Sequence, residues 1–245
     1  MGEVRDPAKR CYSGRSNYFA CRGDVMIIWD NTNDANPNRG AFVYGVYGGA
    51  REQQNGIASL IDGTSNTVIL SESCISRDRH TNVDDGDPRY LCGIVWDNSL
   101  QAPADAKPSD CAAYRGQNGL IRTMQPPNPA ASNAKGFGAV GKGSQWADSR
   151  AGYSNFMTIL PPNAPSCNGN QNAAKNPEGR VFVSASSNHS GGANAAMGDG
   201  SVRFVSESVE AGDPTIPTPH NHTGPSHYGV WGALGTRDGG ESKSL

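Results

Sequence analysis

Residues 193–205 read Ala193-Asn194-Ala195-Ala196-Met197-Gly198-Asp199-Gly200-Ser201-Val202-Arg203-Phe204-Val205, two short runs joined by Asp199-Gly200. Asp-Gly between such runs signals a hairpin, because both residues tolerate the positive φ values that a type I′ turn demands. After the turn Val202 and Phe204 alternate with Ser201 and Arg203, which predicts one buried face and one wet face. An antiparallel hairpin late in the chain points to a sheet as the organising element.

Working outward, Val68-Ile69-Leu70 with Ser71-Glu72-Ser73 behind it forms another strand-like run, entered through the turn Asp62-Gly63-Thr64-Ser65-Asn66. Val25–Trp29, Ala41–Tyr47, Leu91–Trp96, Asn155–Leu160 and Val181–Ala185 are further strand candidates. Tyr18-Phe19-Ala20 is the one apolar knot in a polar opening, and Tyr228–Leu234 is a short helix or turn ended by Gly235. Asn98–Arg150 shows almost no periodicity and reads as loop, within a loop-rich excursion over about 98–180; a loop of about 50 residues inside a compact domain must conceal short elements. The expected class is α+β, β-rich, with an antiparallel sheet and long loops, in a single globular domain over residues 1–245.

Composition narrows the function. The 245 residues hold only 36% hydrophobic residues but 31 Gly and 16 Pro, which suits a compact body with many turns rather than a helical bundle. Net charge is −2, with no run of either sign and no basic stripe, so nucleic acid is an unsuited partner. No stretch approaches a membrane span, and no charged-then-apolar leader opens the sequence, so the chain as given is expected to lack a membrane anchor.

Six cysteines are present, and no C-x-x-C pair occurs among them. An even count in a Gly/Asn-rich chain reads as disulfides in an oxidising compartment, with buried reduced thiols as the alternative. Cys11–Cys21, Cys74–Cys92 and Cys111–Cys167 is one pairing among many.

Several motifs invite chemistry. Gly136-Phe137-Gly138-Ala139-Val140-Gly141 matches G-x-G-x-x-G, but PPNPAASNAK precedes it and nothing helical follows, so it reads as a loop. His220, His222 and His227 offer imidazoles inside a Pro/Gly/Asn-rich segment, which favours a solvated cluster. Asp84-Asp85-Gly86-Asp87 and Asp30-Asn31-Thr32-Asn33-Asp34 concentrate oxygen ligands suited to calcium, with Asp84, Asp85 and Asp87 as candidate ligands. Turn chemistry explains both segments equally well. Trp96, Tyr114, Trp146 and Tyr153 could stack on sugar faces, or serve as core anchors. A polysaccharide hydrolase would need two of Asp62, Glu72 and Asp199 at roughly 5–9.5 Å separation.

Three segments together carry a resemblance. Ile61–Leu70 leads into Ser71-Glu72; Ser187-Asn188-His189-Ser190-Gly191-Gly192 reaches Asp199-Gly200-Ser201-Val202-Arg203-Phe204; and Val230-Trp231-Gly232-Ala233-Leu234-Gly235 continues through Thr236-Arg237-Asp238-Gly239-Gly240-Glu241. His189 and Asp199 are separated by nine residues, an H-x9-D-G spacing. The set resembles a bacterial family of pilin-like (prepilin or pseudopilin-type) proteins of unknown function. The match covers residues 57–75 and 184–241 and leaves 76–180 unmatched. The resemblance implies export, a pseudopilin-like head, and a structural or adhesive role at the cell surface rather than catalysis. Its implied partners are neighbouring subunits of a secretion or pilus-type assembly, with extracellular glycan as a further candidate. Members begin with a leader and a long apolar helix, so this sequence is expected to be a head without that helix. Asp199-Gly200 and Asp62-Gly63 have sufficient work as turns, whereas a carboxylate or imidazole in a packed strand must find a partner. A Glu72–His189 contact would provide one, as part of a structural polar network, with a ligand or metal site as the alternative.

Overall fold

The computed structural model describes residues 14–26, 39–42, 55–76, 89–96, 100, 106–117, 136–137, 142–143, 145–147, 151–169, 181–218, 222–241, 243 and 245. Nine strands and three short helices lie within them. In chain order they are β1 (Tyr18–Cys21), β2 (Val68–Glu72), β3 (Ile94–Trp96), α1 (Pro108–Ala112), β4 (Gly136–Phe137), α2 (Ala151–Ser154), β5 (Asn155–Phe156), β6 (Ser166–Asn168), β7 (Val181–Phe182), β8 (Gly192–Met197), β9 (Val202–Ser206) and α3 (Gly229–Gly235). The α+β, β-rich class read from the sequence holds.

Two sheets form, ordered β5-β1-β2-β8-β9 and β4-β3-β6-β7. Most neighbours are antiparallel, as expected, but β1 runs parallel to β5 and β3 parallel to β6. The β8–β9 hairpin is in place with Ala196 opposite Val202 and Asn194 opposite Phe204. Its turn is not type I′. Gly200 donates to Met197 O at 2.9 Å while Met197 N donates to Ser201 O at 2.8 Å. Of the turn residues only Gly200 has positive φ, at 84°. That is a three-residue loop, a type I turn closed by a glycine bulge.

Alternation also reverses which face is wet. Val202 is 66% exposed and Phe204 50%, whereas Val205 is fully buried. The buried face of the sheet is instead built from Phe19, Cys21, Ser71, Ala193, Ala195, Met197 and Val205. One continuous apolar cluster joins that face to Val95, Cys167, Val181 and Phe182 of the second sheet. Trp231 of α3 sits at its centre, stacked on Phe156 at 6.2 Å between ring centroids and donating its indole N–H to Leu160 O at 2.9 Å. The indole thus buries its large apolar body without orphaning its polar atom.

The 98–180 excursion contains α1, β4, α2, β5 and β6, each too short to show a period. Val25 and Met26 are buried but not in a strand, and Asn155–Phe156 is the only strand within Asn155–Leu160. The remainder of the Val25–Trp29 run, and most of Ala41–Tyr47, lies outside the described residues. Tyr18–Cys21, read only as an apolar knot, is a central strand. Among the described residues no helix is long and apolar enough to cross a membrane.

Candidate functional site

The signature residues meet in two places. At one end of the five-stranded sheet the Asp62–Asn66 turn receives both of the other segments. Gly63 holds φ at 101°, and Asn66 donates its amide N–H to Gly63 O and its side chain to Asp62 O. The β8–β9 hairpin tip docks there, Gly198 N donating to Thr67 O at 2.8 Å and Asp199 N to Thr64 O at 3.1 Å. A Cβ on Gly198 would come within 2.6 Å of Leu60, which explains the glycine. From the other side the segment after α3 closes on the Asp62 carboxylate. Gly239 and Gly240 donate their amides to it at 2.7 and 2.9 Å, and the Thr236 hydroxyl lies 3.3 Å away. Ser65 completes the turn between Thr64 and Asn66. Asp199 binds the amide and hydroxyl of Ser201, and the hydroxyl bond leads the causes that lower its carboxyl pKa.

The second place is on the outer face of the sheet. Glu72 accepts the backbone amide of Asn194 at 2.8 Å and its side-chain amide at 3.2 Å. The predicted His189 contact is present, Nε2 lying 3.4 Å from Glu72 Oε1. The His189 side chain is 58% exposed against 17% for Glu72, so the imidazole covers a carboxylate already held by the strand. Ser187 anchors the preceding loop by donating to Gly192 O at 2.7 Å and accepting His189 N. Gly191 has φ of 81°, and a Cβ on Gly192 would lie 2.1 Å from Val205 O.

Tyr114 and Tyr153 are core residues and cannot stack on a ligand, Trp146 is exposed, and the side chain of Trp96 falls outside what the structure describes. Asp84, Asp85, Asp87 and the Asp30–Asp34 segment also lie outside the described residues. Among those described, no group of three or more His, Cys, Asp or Glu could hold a metal. His222 and His227 do meet, ring nitrogens 3.3 Å apart on the surface, and His220 lies outside the described residues.

The cysteines divide. Cys111 and Cys167 form a disulfide joining α1 to β6, as paired from the sequence. Cys11 lies outside the described residues. Cys21 is a free buried thiol, pushed up to about 12 by burial. Cys74 and Cys92 are free thiols in hydrogen-bond contact. That bond from Cys92 is the largest cause lowering Cys74 to about 6, helped by the charges of Lys142 and Arg89 and by Ser186, with burial opposing.

Sequence reading missed Lys142 altogether. It follows the rejected glycine motif directly, yet it is fully buried, its ammonium donating to Leu91 O, Ser184 O and Ser186 Oγ at 3.3, 2.9 and 2.9 Å. Burial pulls it down to about 8. A lone lysine between glycines carries no signal of burial, because lysine is almost always exposed.

Compared with protein-family models, residues 7–212 match the family described as "Protein of unknown function (DUF1559)". The chain belongs to that family. The DUF1559 match takes in the Asp62 turn, Glu72, His189 and the β8–β9 hairpin, together with residues 76–180, which the sequence resemblance left unmatched. It stops short of α3 and the segment that closes on Asp62. Neither the curated proteins nor the solved structures contain a match to this chain.

Proposed function

We propose that this chain is the head of an exported, pilin-like surface protein, and that the outer face of its five-stranded sheet docks an apolar helix of the same surface assembly. The observation that carries the reading is the exposure of residues whose pattern calls for burial. Tyr18, Glu72, Asn194 and Phe204 form one row across four strands, and Ala20, Leu70, Ala196 and Val202 form the next. Tyr18, Val202 and Phe204 are all at least half exposed. Three interstrand steps make the face roughly 14 Å wide, enough to seat a helix about 10–12 Å across with its side chains. The second row is apolar throughout, and Tyr18 and Phe204 flank Glu72 and Asn194 in the first; exposed apolar surface rimmed by polar groups marks an interaction site.

Other features agree with it. The Cys111–Cys167 disulfide suits an oxidising compartment outside the cytosol. Asp62, Glu72 and Asp199 each have carboxylate oxygens committed to hydrogen bonds in their own neighbourhood, which supports positioning over catalysis.

The test is protease shaving of intact cells that express the gene in its own host, for wild type and for Val202→Glu/Phe204→Glu. Wild type should be digested from outside, and the variant should fold and be exported yet escape into the medium. Protection of the wild type inside the cell would refute export. Retention of the variant at the surface would refute the docking face.

A further inference from the structure

We propose that Cys74 and Cys92 are a redox-active dithiol, with Cys74 as the attacking thiolate, Cys92 as the resolving thiol and Lys142 as the counterion that favours the reduced pair. The two thiols touch, Cys74 just beyond β2 and Cys92 just before β3. Oxidation would therefore staple the two sheets together. Ser186 organises the site: its hydroxyl accepts Cys74 N at 3.0 Å and the Lys142 ammonium at 2.9 Å, and donates to Leu91 O at 2.9 Å.

The Cys92 hydrogen bond is the first reason for reactivity, and Lys142 adds to it. Among the described residues the hydrogen bonds of Lys142 go to neutral oxygens, and a buried ammonium needs a counter-charge. The Cys74 and Cys92 sulfurs lie near enough that a thiolate on either would favour the charged ammonium. A thiolate at Cys74 meets that need, and the charge of Arg89 also favours it. Cys21 is more deeply buried, and there burial and the charge of Asp24 outweigh that of Arg22. Cys74 is also the more open of the pair, 7% exposed against 3%.

The reaction balances with a low-molecular-weight disulfide as oxidant. The Cys74 thiolate attacks one sulfur of the oxidant, forming a mixed disulfide and expelling one thiolate, which takes up a proton. Cys92 then loses its proton and attacks the Cys74 sulfur, expelling the second thiol. The protein dithiol is oxidised by two electrons and the oxidant is reduced to two thiols. Oxidation removes the anion beside Lys142, so the pair should be easier to reduce than the Cys111–Cys167 disulfide.

The experiment equilibrates the folded chain with glutathione and its disulfide over a range of ratios, quenches in acid, blocks free thiols and maps peptides by mass. A Cys74–Cys92 peptide lighter by two hydrogens should form, and should be reduced at ratios that leave Cys111–Cys167 intact. Lys142→Met should shift the midpoint toward the disulfide by roughly tenfold. Should that variant not fold, wild type supplies a second readout: modification of Cys74 by a small methanethiosulfonate should be half-maximal near pH 6. Both thiols staying free at every ratio would overturn the proposal. So would a midpoint near the ordinary thiol value, or a product in which Lys142 and a cysteine are joined through an added oxygen.

Discussion

The Asp62 carboxylate and the Gly239 amide lie 2.7 Å apart, although 177 residues of chain separate them. Gly240 supplies a second amide, so one side chain fixes the path of the segment after α3. Hydrogen bonds to a charged acceptor contribute about 1.5–3 kcal/mol. Asp62→Ala should therefore cost about 2–3 kcal/mol and lower Tm by roughly 5–10 °C in a chain of this size. Truncation after Arg237 removes both amides, and in that background Asp62→Ala should cost little more. Additive losses in a calorimetric double-mutant cycle would show that the closure does not depend on this contact.

Glu72 and His189 separate by the same logic. Glu72→Ala leaves the Asn194 N–H of β8 without its acceptor, and should cost about 2 kcal/mol. His189→Ala removes an exposed ion-pair partner and should cost under about 1 kcal/mol. Urea unfolding at constant m-value reads both. Equal losses would make His189 a partner in the strand's stability and not a cover over it.

The parts of this molecule that were legible in the sequence are those where one local rule decides. Asp199-Gly200 had to turn, though Gly200 alone supplies the positive φ. Glu72 had to find a partner, and His189 was in reach. Val202 and Phe204 misled, because alternation reports which residues share a face but not which face meets the core. Strands β5 and β7 fall within runs read as strands, but span two residues each, while the two-residue β4 gave no periodicity and is paired by β3, about 40 residues earlier. Lys142 was illegible for a different reason. Its burial follows from oxygens contributed by Leu91, Ser184 and Ser186, none of them near it in sequence.

Trp231 tests the core. Trp231→Ala should cost about 3–5 kcal/mol through the cavity it leaves beside Phe156. Trp231→Phe keeps most of the volume but strands the Leu160 carbonyl, and should cost about 1–3 kcal/mol. If the Phe variant melts like wild type, the indole N–H has no structural value.

The last prediction concerns pH in the reduced protein. Cys74 is held at about 6 in the fold against 9.0, so the folded state sheds that proton first and stability rises as pH climbs from 6 to 9. Below pH 6 this contribution is gone. Lys142 is held at about 8 against 10.5, so the full penalty of burying its ammonium applies below pH 8 and fades above it. Both slopes have the same sign from pH 8 to 9. Cys21, raised to about 12, opposes them above pH 9, and Tyr228, raised by burial, does so above pH 10. Denaturation midpoints measured with excess reductant should therefore climb from pH 6 to 9, level off, and fall beyond pH 10. Cys74→Ser, or oxidation of the pair, should flatten the curve between pH 6 and 8 while leaving its alkaline fall intact. A wild-type curve already flat in that interval would mean that neither the Cys92 hydrogen bond nor Lys142 holds the Cys74 thiol low.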